Sequence, residues 1–200
     1  MEWGLVKRRC FDICTALRRL CEDISRRHAV FQHIDMKCVA VTYAQTRSAV
    51  EWGMQAKLTP MRFEGGAMSC VRDGQRWGAQ RVYQDGREML YILTFYLPRF
   101  LNLSFDEKLV TVFHEMYHIS PRFDGDIRRF DGACYMHTGS QAAYDQQMAV
   151  YAKEYLARLP QELFPAYLQW DFQELRRHYG DVVGRKLAIP RLIALDEDAA

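Results

Sequence analysis

The chain has 200 residues, of which 49% are hydrophobic and 26% charged, with a formal net charge of +2. This is enough for one domain with a sizeable core and too little for two ordinary ones. The composition excludes a collagen-like, low-complexity or wholly disordered chain. There is no run of about eighteen apolar residues to cross a membrane, and "MEWGLVKRRCFD" lacks the apolar stretch of a secretory leader. A cytoplasmic protein with no membrane association is therefore expected.

The six cysteines, Cys10, Cys14, Cys21, Cys38, Cys70 and Cys134, contain no CxxC pair. In a reducing compartment they are expected as thiols packed in the interior, not as bridges. Charge is unevenly spread, with 16 Lys/Arg against 10 Asp/Glu in residues 1–100 and 11 against 15 in residues 101–200. The basic first half is compatible with an acidic partner such as nucleic acid without requiring one.

In chain order, the spacing of Leu5, Phe11, Cys14, Leu17, Cys21 and Ile24 predicts a helix over 5–27. Its arginines are interleaved with Asp12, Glu22 and Asp23, which favours a solvated polar face over a nucleic-acid surface. The β-branched "MKCVAVTYA" at 36–44 predicts a strand, and the glycine-rich stretch to about residue 80 predicts short strands joined by loops. Asp85-Gly86 reads as a tight hairpin turn. The strand expected from Met89 to Leu97 is apolar on both faces, hence central and covered on both sides.

Ser104 followed by Glu107 is a capping box, and a helix is predicted from Phe105 to about Ile119, ending before Pro121. Further helices are predicted over 140–159 and 161–179, with a frayed acidic end after Pro190. His28, His33 and His178 are isolated and read as ordinary polar or half-buried side chains.

The helix after Ser104 carries "HEMYH". His114 and His118 lie one turn apart on one face, so two neutral imidazoles can converge on one ion, and Glu115 falls beside that ion, placed to take a proton from water. A catalytic zinc takes three protein ligands and keeps a fourth position for water. His137, ahead of the next helix, is the favoured third ligand. Asp124 is its rival, at the spacing of the long HExxHxxGxxH motif, although Pro121 stands where that motif bends at glycine. Asp145 and Glu154 are further carboxylate alternatives. Asp124 and Asp126 could orient a ligand imidazole, or could simply pair with Arg128 and Arg129. Tyr135 and Tyr144 could donate to an oxyanion, or pack, and packing is the simpler reading.

"LVTVFHEMYHIS" followed by "HTGSQAAYDQQM" resembles the zincin superfamily. It is similar in particular to SprT-like zinc peptidases, in which HExxH is followed by a third histidine before a short helix bearing an aromatic residue. The resemblance extends over about residues 55–158, through "QAKLTPMRFEGG" and the run from Asp85 to Phe130, to metallopeptidase-like proteins of bacterial and phage genomes. It implies zinc held by His114, His118 and His137, Glu115 as general base, Tyr144 near the aromatic position, and a protein or peptide as substrate. No cysteine follows Cys134, so the cysteine zinc ribbon that many SprT-like proteins carry is not matched.

The implied fold is α+β and zincin-like: a small mixed or antiparallel sheet on an N-terminal helix and the HExxH helix, with C-terminal helices. One domain is expected over 1–190, with a catalytic core at about 30–158, a helical extension at 159–190 and an acidic tail at 191–200. Two other readings keep the same fold: a zinc-binding regulatory domain without turnover, and a nucleic-acid-associated protein.

Overall fold

A computed structural model of the chain describes residues 10–46, 53–130 and 141–196. The described elements are, in order, β1 (Cys10–Asp12), α1 (Ile13–Arg27), β2 (Val39–Gln45), β3 (Ala56–Pro60), β4 (Ser69–Arg72), β5 (Gln75–Ala79), β6 (Tyr83–Gln84), β7 (Arg87–Glu88), β8 (Tyr91–Leu97), α2 (Phe105–Tyr117), α3 (Gln141–Ala157), α4 (Phe172–Tyr179), β9 (Asp181–Val183) and β10 (Leu192–Leu195). The class is α+β, and the main sheet is mixed. Its order is β2-β8-β3, with β2 parallel and β3 antiparallel to β8.

β8 is central, as its two apolar faces predict. Tyr91, Leu93, Phe95 and Leu97 point into the main core beneath α1 and α2, together with Val39 and Val41 of β2. Ile92 points the other way, into a smaller cluster with Ala40, Met61 and Met89. A strand buried on both faces needs hydrophobic side chains at odd and even positions alike, which is why this segment shows no alternation.

α1 starts later than the spacing predicts. Asp12 accepts the Thr15 N–H at 3.0 Å and so caps a helix that begins at Ile13, while Phe11 belongs to β1. Leu5 lies outside the described residues. Cys14, Leu17, Cys21 and Ile24 are buried on one face. On the other face Arg18 pairs with Glu22 and Arg27 with Asp23 across one turn, in keeping with a solvated polar surface. Of the described cysteines, Cys14 and Cys21 are buried as expected, whereas Cys10 is exposed and Cys38 and Cys70 are half-buried. Burial pushes the Cys14 and Cys21 thiols up to about 11 and about 12, leaving them neutral packing groups.

Asp85-Gly86 makes the expected hairpin turn between β6 and β7, with positive φ at both residues, as a type I′ turn needs. Beside it, Arg81 and Arg62 bind the Glu88 carboxylate. The Arg81 hydrogen bond, helped by Arg62 against the cost of burial, holds this carboxyl down at about 2. A folded-state pKa below the unfolded value gives stability that is present above about 4.5 and lost as pH falls through about 2. Glu88→Gln is expected to cost roughly 2 kcal/mol at neutral pH. It should also flatten the acid side of the stability curve, as read by urea unfolding midpoints across that window.

The C-terminal third departs from expectation. In place of one helix over 161–179, Pro160 and Pro165 introduce two 3-10 turns, Gln161–Leu163 and Ala166–Gln169. The helix proper begins only after Asp171, which forms a capping box with Glu174. β9 pairs in parallel with β1, and Leu168, Leu175 and Val182 enter the main core, so this region is integral to the fold. Leu192–Leu195, expected in a frayed acidic tail, adds instead as an antiparallel strand to β5. Among the described residues no helix is long and apolar enough to cross a membrane.

Candidate metal centre

α2 is built for precision at its far end. The capping box is formed in both directions: Glu107 N–H donates to the Ser104 hydroxyl, and Ser104 N–H donates to the Glu107 carboxylate. Midway, buried Lys108 donates from Nζ to the carbonyls of Leu168 and Trp170 at 2.9 and 2.8 Å. At the C-terminus the Arg128 guanidinium lies over the Tyr117 ring at 4.0 Å and donates to the Tyr117 carbonyl. The backbone N–H of Arg128 also donates to the His118 carbonyl at 2.7 Å. A cation at this end complements the helix dipole and satisfies terminal carbonyls.

His118 is the C-cap residue and keeps helical dihedrals, so it still shares a face with His114. The two rings have centroids 4.8 Å apart at an angle of 73°. Tyr144 of α3 packs on both, at 4.8 Å from His114 and stacked at 5.6 Å on His118. It is buried, and burial keeps its phenol neutral. Tyr144 thus packs on the histidine pair, and Tyr135 lies outside the described residues.

His114 Nδ1 lies 3.0 Å from a carboxylate oxygen of Asp145, one residue along α3 from Tyr144. An imidazole that donates through Nδ1 to a carboxylate carries its lone pair on Nε2, facing away. Asp145, considered above as an alternative ligand, contacts the imidazole of His114. Sequence reasoning missed this partnership, because it depends on how α3 packs on α2.

Glu115 is buried at the start of a cleft between α2 and β3, where it accepts the Leu58 N–H at 2.6 Å. Burial pushes its carboxyl up to about 7, against the opposing pull of the Leu58 hydrogen bond and the Lys57 charge. β3 is an edge strand, and Leu58 presents its N–H outward, to Glu115, not to β8. Pro60, lacking an N–H, suits the same exposed edge. The cleft has a volume of about 520 Å³ and runs from His114, Glu115 and Asp145 along Val110 towards Met54 and Ala56.

Asp124 and Asp126 belong to the turn that follows, and are not drawn to the histidines. Asp124 pairs with Arg122 at 3.0 Å and accepts the Asp126 N–H. Asp126 is buried and accepts the N–H groups of Gly65 and Ile127 and the Arg129 guanidinium. Burial opposes its ionisation, yet these donors, Arg129 foremost, hold its carboxyl below the usual range. Buried Tyr91 clamps the turn, accepting from Gly125 N–H and donating to the Asp126 carbonyl, both at 2.9 Å. Gly125 has φ +87°, and a Cβ there would come within 2.5 Å of Arg62, so only glycine fits the bend. The expected pairing of Arg129 with Asp126 is present, whereas Arg128 caps the helix and Arg122 serves Asp124. Glu154 lies about 13 Å along α3 from Asp145, beside His28 at 3.4 Å. His28 itself is buried among Phe31, Phe113 and Tyr151, and burial lowers its pKa.

Among the described residues, no group of three His, Cys, Asp or Glu side chains is gathered to hold a metal. His137, the favoured third ligand, lies outside the described residues, in 131–140. Both flanks of that stretch sit beside the histidine pair. An antiparallel bridge between Ile119 and Ile127 reverses the chain, Phe130 stacks on Tyr117 at 6.2 Å, and Tyr144 packs on His114 and His118. No family model, curated protein or solved structure matches the chain.

Proposed function

We propose that the protein is a zinc-dependent peptidase of zincin type. The observation that carries this reading is the pairing of two imidazoles on one helix face with a buried carboxylate between them, at the head of a cleft bordered by an edge strand. The residues fit zinc: His114 has its Nδ1 engaged by Asp145, which directs Nε2 outward as a ligand, and His118 stands one turn on. His137 is the third ligand in this reading, which is supported by Phe130 stacking on Tyr117 before it and Tyr144 packing on His114 after it.

Zinc in such a site supplies Lewis acidity, polarising a scissile carbonyl and making water a nucleophile at neutral pH. Glu115 takes the proton from the attacking water and hands it to the departing amine. A carboxyl moved up to about 7 by burial can perform both transfers near neutrality. The peptide lies extended along the outer edge of β3, where the Leu58 N–H is held by Glu115 and Pro60 has none, so the strand receives the peptide through its outward carbonyls.

Metal analysis of single variants tests the ligand set. His114→Ala, His118→Ala and His137→Ala are each expected to lose stoichiometric zinc, while Asp124→Ala keeps it and Asp145→Ala binds on the order of tenfold more weakly. Zinc retained by His137→Ala and lost by Asp124→Ala would reverse the assignment.

A further inference from the structure

We infer that the outer face of the main sheet carries a binding site for a small aliphatic carboxylate, recognised by Thr42, Thr94 and Lys57. The site is independent of the peptidase reading. It lies on the side of the sheet that Ala40 and Ile92 face, away from the core beneath α2. The strand register sets Thr42 of β2 beside Thr94 of β8, and Thr94 beside Lys57 of β3. Side chains paired across neighbouring strands point to one face, so the three stand in a row at intervals of about 5 Å. The row is covered by a strap from the C-terminal region. At one end the Tyr43 N–H donates to the Arg185 carbonyl and Lys186 Nζ to Gln45 Oε1, both at 3.1 Å. At the other the Gln80 N–H donates to the Arg191 carbonyl at 2.9 Å. Between these anchors, residues 187–190 cover a cavity of about 80 Å³ that the row lines together with Ile92, Tyr96, Leu187 and Pro190.

Two unmet groups in the cavity point to the ligand. Thr42 is only 2% exposed, yet its hydroxyl makes no hydrogen bond among the described residues. A buried hydroxyl without a partner costs stability that the isosteric valine would recover, and a ligand oxygen in the cavity supplies that partner. Lys57 forms no salt bridge among the described residues, and no Asp or Glu lines the cavity. An ammonium only donates, so the ligand accepts here and brings the negative charge. A carboxylate over Thr94 lies between the Thr42 hydroxyl and the flexible Lys57 stem. The N–H groups of β8 are spent on its two neighbours, which leaves too few donors for a phosphate. Ile92, Leu187 and Pro190 offer apolar wall to a short aliphatic chain, and the volume excludes a nucleotide or a peptide.

The test is a titration of the full chain, labelled at threonine and isoleucine methyl groups, with butyrate, butyramide, butylammonium or inorganic phosphate, followed by NMR. Butyrate is expected to shift the Thr42, Thr94 and Ile92 signals saturably, with a dissociation constant on the order of 1 mM, and to leave Ile13 and Ile24 in the main core unmoved. Butyramide and phosphate should bind at least about tenfold more weakly and butylammonium not at all. Lys57→Met and Thr42→Val should each weaken butyrate about tenfold. Thr42→Val should do so with a urea midpoint no lower than that of the parent chain, which separates lost recognition from lost folding. The inference is overturned if butyrate produces no saturable shift, which would leave the cavity to water alone. It is equally overturned if butyramide or phosphate binds as tightly as butyrate, or if neither substitution weakens binding.

Discussion

Glu115→Gln is expected to retain stoichiometric zinc and to lower the rate of peptide hydrolysis by about a thousandfold. The substitution is nearly isosteric, and the amide oxygen can still accept the Leu58 N–H that now holds the carboxylate at 2.6 Å. What it removes is the capacity to take a proton from water and return it to the leaving amine. Burial pushes the carboxyl up to about 7, against the pull of the Leu58 hydrogen bond and the Lys57 charge, and a bound dication beside it would draw it back down. The check is zinc content by emission spectrometry beside cleavage of a peptide mixture. Unchanged cleavage with unchanged zinc would remove Glu115 from the chemistry.

Lys108→Ala is the second large effect, and it acts on stability. Nζ is the donor that joins α2 to the segment before α4, through the carbonyls of Leu168 and Trp170. Burial lowers the lysine's pKa, with Asp171 and Glu174 pulling the other way, so the charge is held at a cost that the two hydrogen bonds offset. Alanine leaves a hole in the core beside two carbonyls without their donor, and a loss of about 3–5 kcal/mol in urea unfolding is expected. Lys108→Met keeps most of the packing and should cost about 2–3 kcal/mol. If Lys108→Met is as stable as the parent chain, the hydrogen bonds do not hold these segments together.

The parts legible in the sequence were those fixed by short-range chemistry. Ser104 and Glu107 marked the start of α2, Asp85-Gly86 marked a hairpin, and the doubly apolar 89–97 run marked a buried strand; each depends on residues within a few positions. Other features depended on partners far along the chain. Leu192–Leu195 looked like the head of a polar tail because nothing nearby shows that Gln75–Ala79 offers it an edge. Nothing near Lys108 in the sequence shows that it is buried, since its two acceptors lie about sixty positions away. The Asp12 cap was overlooked because the apolar spacing ran past it. The helix expected over 161–179 is confined to Phe172–Tyr179 because Pro160 and Pro165 each start a 3-10 turn ahead of it.

The site divides along the same line. His114, Glu115 and His118 belong to one helix and its cap, and the shared face of the two histidines with Glu115 beside it follows from spacing alone. That Asp145 orients His114, while Asp126 turns to Gly65 and Arg129, required the register of α3 on α2 and of the 120–127 turn on the 62–66 loop. Carboxylates near a metal motif in sequence are therefore poor guides to those near it in space.

The most direct measurement of the central claim is mass-spectrometric detection of cleaved bonds in a mixed peptide library. The library is incubated with the zinc-loaded chain, with the chelated chain, and with chelated chain to which zinc has been restored. Cleavage in the first, loss in the second and recovery in the third is the predicted result. A chain that carries one equivalent of zinc yet cuts no bond beyond the Glu115→Gln background would contradict the account.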